Sequence, residues 1–403
     1  MNAGLPLTKQ SLAFLPYGRQ TIEDDDIEAV CQALRSEYLT TGPLVGRFED
    51  AFAAATGAKH AVVCSSGTAA LYMAARALNL GTGTKVIVPS ITFLATASAP
   101  HLSGAEIVFA DVDPESGLMR ARDLENAVNR AGRAQAVFNV HLNGQCGEVE
   151  DIAAIARGHD MAVVDDACHA LGSTAAGSRA GENAFSDMTV FSFHPVKTVT
   201  MGEGGAVTTN DDETAEALRR ERNHGMTRQA SEFESPDAFD DDGSPNPWYY
   251  ELIEPGFNWR ATDIQCALGL SQLAKLDRFS AMRRALAAAY DALLAPHAPT
   301  IRPVARQAGC LPTLHLYAVL IDFEACGMSR KTVMERLAEQ GIGTQVHYYP
   351  VHRQRYYADR YGRLDLPGAD SYYARVLSLP FFASMAIGDV TRVVETLTRT
   401  LRL

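Results

Sequence analysis

The chain has 403 residues, 47% of them hydrophobic and 21% charged, with a formal charge of −12. A single core stops growing near ~250–300 residues, so two domains are expected, and the acidic balance with no run of Lys and Arg excludes a nucleic-acid surface. No window approaches the roughly 18 uninterrupted apolar residues of a membrane helix, and the N-terminus lacks the basic-then-apolar order of a signal peptide; a cytoplasmic, membrane-free protein is expected.

From His60 to about Asn210 short apolar runs alternate with helical patterns: "HAVVCSS", "KVIVPSIT", "EIVFADV", "AQAVFNVHL", "MAVVDDA", "DMTVFSF" and "GAVTTN". The segments between them, such as "TAALYMAARALNL" and "VEDIAAIARGHD", carry apolar residues at helical spacing. This repetition predicts an α/β fold with a mostly parallel sheet covered on both faces. Ligands in such folds sit beyond the C-terminal ends of the strands.

Residues 229–250 break the rhythm with acidic residues, three prolines and a Gly-Ser pair, which reads as a long surface loop, either a solvated insertion or a lid. The stretch 262–295 is mainly helical and reads as a spine between domains. After Pro296 the strand "LHLYAVLIDF", the helix "RKTVMERLAEQG", the strand "GTQVHYYP" and a terminal helix from Asp389 form a smaller C-terminal α/β domain. The expected division is 1–261, a large domain with an N-terminal arm, then 262–295, then 296–403.

The seven cysteines are scattered singly, with no metal-ligand spacing, and read as reduced thiols. Cys168 and His169, adjacent in sequence, do not make a nucleophile and base, because chain neighbours rarely face each other. His347 and His352 make no metal pair, and no metal site is expected.

Three segments carry chemistry. In "AVVCSSGTAALYMAA" a strand ends at Ser65–Thr68 and a helix starts at once, so free N–H groups, hydroxyls and the positive end of the helix dipole converge. That suits a phosphate, or simply caps a helix. In "MAVVDDACHALGS", Asp165 and Asp166 end a strand, placing at least one carboxylate at the ligand edge, where it favours a cation or serves as an ordinary salt-bridge aspartate.

In "SFHPVKTVTMGEGGAVTTN", Lys197 lies between an apolar strand and a glycine run. A partly desolvated lysine holds its proton less tightly and becomes an amine nucleophile and proton shuttle. The glycines are expected to let the backbone pass close to a ligand. A phosphate cup, a carboxylate for a ring cation, a lysine able to form a Schiff base and Phe93 for a stacked ring are together the parts of a pyridoxal 5′-phosphate (PLP) site.

"SSGTAAL", "VVDDACHALGS", "FSFHPVKTVTMGEGGAVTTND", "RNHG" and "EPGFNWRATDIQCALGLSQL", in that order, resemble the sugar aminotransferases of the DegT/DnrJ/EryC1/StrS group. The resemblance runs nearly the whole chain and implies a fold-type-I PLP-dependent transferase, a homodimer with shared active sites. Lys197 would be the Schiff-base lysine and Asp166 the partner of the pyridine nitrogen. Gly67, Thr68 and Ser192 would hold the phosphate, with Asn258 reaching it from the second subunit; Phe93 and His169 complete the cofactor-binding set.

The resemblance also implies Tyr17, Tyr38, Leu39, Thr40, Ser66, His347 and Tyr348 for a nucleotide sugar, a surface of aromatic faces and hydroxyls that suits a sugar and a base ring. "LPYGRQ", "SEYLTTGP", "GLSQLAKLDRF" and "GIGTQVHYYPVH" are most similar to members of the pseudaminic acid pathway. These take the amino group from L-glutamate to C4 of a UDP-linked 4-keto-6-deoxy-N-acetylhexosamine. A dTDP- or GDP-linked keto sugar is the alternative; a non-catalytic PLP-binding regulator would need an appended module, for which the ending "VVETLTRTLRL" leaves no room. Lys197 argues against the dehydratases of the group, which carry histidine there.

Overall fold

The computed structural model describes residues 14–403, so the first part of the expected N-terminal arm, residues 1–13, lies outside the described residues. Each of the seven apolar runs becomes one strand of a seven-stranded sheet. The spatial order is His60–Cys64, Gly205–Thr209, Met188–Ser192, Ala162–Asp166, Ala136–Val140, Lys85–Pro89, Glu106–Ala110. Gly205–Thr209 runs antiparallel to both its neighbours and the other strands are mutually parallel.

Strand side chains alternate between faces, and both faces are covered. Val62, Val88 and Phe138 join a core on one side with Ala70 and Met73 of the helix Gly67–Ala77. Val63 and Phe191 meet Phe48 and Phe52 of the helix Pro43–Thr56 on the other, where Phe52 and Phe191 pack edge-to-face at 5.1 Å. Burying both faces is what makes these strands continuous hydrophobic runs.

Beyond this sheet, Ile301–Pro303, Tyr317–Ile321 and Val376–Leu379 form a three-stranded antiparallel sheet. Its core gathers Tyr290 of the helix Leu276–Leu294, Leu337 of Arg330–Glu339 and Val393 of Ile387–Leu401. Its other face feeds the first core through Ala318 and Leu320.

The helical stretch 262–295 is two helices, Asp263–Leu273 and Leu276–Leu294. At the break Lys275 turns inward, its Nζ 2.6 Å from Asp25 Oδ1 and 2.8 Å from Asp26 Oδ1, pinning the helix Asp24–Arg35. "GTQVHYYP", expected as a strand, is not one: it makes a single bridge, Gln345 with Ser378. Consecutive His347 and Tyr348 both face the same cavity, which strand alternation forbids.

Residues 229–250 form the expected surface loop, but one with packing of its own. Phe233 meets Tyr249 at 4.9 Å, and Glu251 Oε2 accepts from the Glu234 and Ser235 N–H groups. No helix among the described residues is long and apolar enough to cross a membrane. Among them, too, no cluster of three His, Cys, Asp or Glu side chains could hold a metal, and all seven cysteines are free.

Candidate active site

A cavity of about 620 Å³ opens at the C-terminal ends of the parallel strands. At one end lies the start of the helix Gly67–Ala77. Ser66 is its N-cap, the hydroxyl accepting from Ala69 N–H at 3.1 Å, while the first-turn N–H groups of Gly67 and Thr68 have no partner within the helix. A Cβ on Gly67 would lie 2.8 Å from Ser192 Cβ, so only glycine lets the Ser192 hydroxyl close the cup.

The glycine run after Lys197 has a different role from the one expected. A Cβ on Gly205 would sit 2.3 Å from Ser66 O and 2.7 Å from Gly67 N, and one on Gly204 would crowd Met201 and Phe193. Gly205 therefore makes room for the chain's own backbone, letting a sheet strand press against the Ser66–Gly67 turn, and Gly204 makes room for the Met201 and Phe193 side chains.

On the cavity floor, strand alternation sends Asp166 into the cavity and Asp165 to the opposite face. Asp166 Oδ2 accepts from Thr96 Oγ1 at 2.7 Å and Oδ1 from Cys168 N–H at 3.2 Å, leaving an oriented carboxylate that is 6% exposed. Asp165 is engaged elsewhere, accepting from Asn139 Nδ2 at 3.1 Å and facing His141 Nε2 at 3.4 Å. Burial opposes the Asp165 charge, but His141 and its hydrogen bonds hold the carboxyl below its usual range.

Lys197 lines the same cavity, its N–H tied to His194 O at 2.9 Å in the turn after Met188–Ser192. Burial lowers the pKa of its ammonium below the ordinary lysine value, against the pull of Cys168 and Asp166. Its Nζ has no hydrogen-bond acceptor or ion pair among the described residues.

The remaining wall is aromatic. Tyr348 Oη meets His169 Nε2 at 3.2 Å, the Tyr17 and His347 rings are 5.5 Å apart, and Phe93 stands 6.1 Å from Tyr348 at the mouth. Burial, then the nearby Lys197 charge, pushes His347 down to about 3 and His169 well below the usual imidazole value. Burial raises the Tyr348 phenol. Both imidazoles are neutral at physiological pH.

The fold thus gathers Gly67, Thr68, Phe93, Asp166, His169, Ser192 and Lys197 of the expected cofactor set, with Tyr17, Ser66, His347 and Tyr348 of the sugar set, around one cavity. Asn258 is outside it, in an exposed segment bridged to Asn223. Tyr38, Leu39 and Thr40 are outside it too, exposed, with Thr40 bridged to Thr262.

Sequence reasoning missed Thr92, Thr96 and His315. The two threonines lie in the "SITFLATA" already noted for Phe93, but only Thr96 is in the helix Leu94–Leu102; Thr92 reaches it from the turn before the N-cap Phe93, a contact that helical spacing does not announce. His315 sits in an ordinary apolar strand approach and had no readable signal.

These residues fit PLP. The cup offers N–H groups and hydroxyls to a phosphate, Asp166 offers a buried carboxylate to a ring cation, and Lys197 brings an amine with no other partner among the described residues.

Comparison with known proteins agrees. Residues 20–398 match the model of the DegT/DnrJ/EryC1/StrS aminotransferase family. The chain is 38% identical over 385 residues to the spore coat polysaccharide biosynthesis protein SpsC of Bacillus subtilis (strain 168), covering 95% of this chain and 96% of that one. Among solved structures it is similar to Helicobacter pylori PseC, an aminotransferase involved in the biosynthesis of pseudoaminic acid, with a TM-score of 0.87 and 30% identity over 96% of this chain and 99% of that one. It is also similar to DesI, solved in the presence of its TDP-sugar product, with a TM-score of 0.83 and 31% identity over 96% and 93%.

Proposed function

We propose that this chain, which belongs to the DegT/DnrJ/EryC1/StrS aminotransferase family, moves an amino group from L-glutamate to C4 of a UDP-linked 4-keto-6-deoxy-N-acetylhexosamine. As a member of that family it is a PLP-dependent sugar aminotransferase. The observation that carries the chemistry is the Lys197 amine, without a partner among the described residues, in one cavity with the oriented carboxylate of Asp166. The choice of sugar is supported by the likeness to PseC and by the "GIGTQVHYYPVH" and "SEYLTTGP" segments.

When bound, PLP supplies an electron sink that protein side chains lack. Asp166, held by Thr96 and the Cys168 N–H, would keep a ring N–H⁺ protonated, and the Ser66–Thr68 turn with Ser192 would hold the phosphate. Lys197 Nζ takes a proton from the donor's Cα and returns one to the acceptor, a general-base then general-acid role worth ~10²–10⁴ in rate. Its lowered pKa favours the neutral amine that such a role needs. Neutral His169 and His347 add no competing cation beside it.

The same reading makes the protein a cytoplasmic homodimer whose sites are shared. Asn258 and the Tyr38–Thr40 segment, outside their own protomer's cavity and exposed, would serve the partner's. The division into 1–261, 262–295 and 296–403 belongs to it as well.

The likeness to DesI favours a second reading, a dTDP-linked keto sugar. Assaying UDP- and dTDP-linked 4-keto sugars side by side with glutamate separates the two: faster amination of the UDP sugar, with 2-oxoglutarate formed in step, is expected. Preference for the dTDP sugar would overturn the first reading.

A further inference from the structure

The wall behind His169 is built from two turns in unusual backbone. Asn143 (φ 60°) and Leu314 (φ 62°) both hold left-handed conformations, and for a residue as bulky as leucine that is an outlier found where surrounding structure enforces it. The turns interlock. His315 N–H donates to Asn143 O at 3.1 Å, Thr313 N–H to Ser173 Oγ at 2.9 Å, and Ser173 Oγ to Gly144 O at 2.7 Å. A Cβ on Gly144 would lie 2.8 Å from His169 O and 3.0 Å from Leu314 N.

Arg283, from the helix Leu276–Leu294, holds this junction. It is 2% exposed, has no carboxylate partner among the described residues, and donates from Nη1 to His315 O at 3.1 Å and Leu314 O at 3.4 Å. Its guanidinium lies 5.5 Å over the Phe381 ring. A buried cation without a counter-charge is expensive to keep, and here its donors are directed to the strained turn that carries His315.

The His315 ring stands behind His169, centroids 4.3 Å apart. Asn143 N–H donates to His169 Nδ1 at 3.4 Å, so in the neutral ring the proton is on Nε2. That Nε2–H then donates to Tyr348 Oη, 3.2 Å away, and the Tyr348 O–H is left to donate into the cavity.

We propose that Arg283 and His315 are positioning residues for His169: they hold it as the Nε2–H tautomer, so that Tyr348 presents a proton rather than a lone pair to the bound reactants. The groups facing the two rings agree. His169 meets Lys197, His347, His315 and Tyr348; His315 meets His169, Lys197, Arg283 and His347. Burial first, then the positive charge of Lys197 and, at His315, of Arg283, keeps both imidazoles uncharged. The proposal rests on the PLP cavity and is independent of which sugar is used.

The test is read in the spectrum of the holoenzyme rather than in turnover. With ¹⁵N-histidine labelling, and His169→Gln to assign the signals, long-range ¹H–¹⁵N correlations report which ring nitrogen carries the proton. Wild type should show a protonated Nε2 and a bare Nδ1 at His169 throughout about pH 5.5–8.5. Folded Arg283→Met should lose that single pattern, giving both tautomers or protonation within the range, and Arg283→Lys should restore it. An Nδ1–H tautomer in wild type, or an unchanged His169 pattern in folded Arg283→Met, overturns the proposal. Should Arg283→Met fail to fold, His315→Leu takes its place, and an unchanged His169 pattern there overturns the proposal equally.

Discussion

Thr96 Oγ1 donates to Asp166 Oδ2 at 2.7 Å, and Thr92 Oγ1 stands 2.8 Å behind Thr96 Oγ1. Since the Thr96 hydroxyl spends its one proton on the carboxylate, Thr92 must donate to Thr96, forming a relay aimed at Asp166. Hydrogen bonds to charged groups are worth about 1.5–3 kcal/mol. Thr96→Val should therefore weaken PLP retention by roughly tenfold or more with the fold intact. Dialysis followed by absorbance measures it, and unchanged retention would remove Thr96 from the site.

Lys197→Ala should abolish the visible absorption of bound cofactor and lower transamination by at least ~10²-fold. The thermal midpoint of the apo form should hold or rise, because the variant removes a charge that burial disfavours. A variant that retains full activity would sink the assignment of the lysine.

Gly205→Ala puts a methyl group 2.3 Å from Ser66 O, so the strand and the phosphate cup must part. Overpacking of this kind costs typically ~1–3 kcal/mol. Phosphate-dependent cofactor binding should weaken more than pyridoxal binding does, measurable by titrating apoenzyme with each. Equal losses would mean the cup is untouched.

His347 is held neutral with its pKa near 3, against about 6.5 when unfolded. Above about pH 6.5 both states are neutral there and stability does not depend on it. Below that pH the unfolded chain takes a proton the folded chain refuses, so stability falls by about 1.4 kcal/mol per pH unit from this group. His347→Gln should lose less stability than wild type between about pH 6.5 and 5 in urea titrations. His141, whose raised pKa acts in the opposite sense, is present in both proteins and cancels. Parallel pH curves would show that His347 is not held neutral.

If Asn258 completes the partner's site, Lys197→Ala and Asn258→Asp subunits should complement. Separately each is impaired; mixed and reassociated, half the dimers are hybrids with one intact site, so activity should return to roughly a quarter of wild type. No gain on mixing would place Asn258 outside the site.

The large sheet was legible because strands buried on both faces must be apolar throughout, and each of the seven runs from "HAVVCSS" to "GAVTTN" says so locally. The chemistry of Lys197, Asp166 and the Ser66–Thr68 turn was legible for a related reason. Each sits where a strand ends, and strand ends of a parallel sheet converge.

What the sequence by itself determined is therefore the set of elements and the groups at their ends, since these depend on neighbours a few residues away. Tertiary structure decided which of Asp165 and Asp166 faces the cavity, and that Gly205 clears a path for the Ser66–Gly67 backbone. It alone brought Arg283 and His315 from more than a hundred positions away to the back of His169. Such contacts depend on where distant segments are packed, and the local pattern around His315 or Arg283 carries no trace of the partner it will meet.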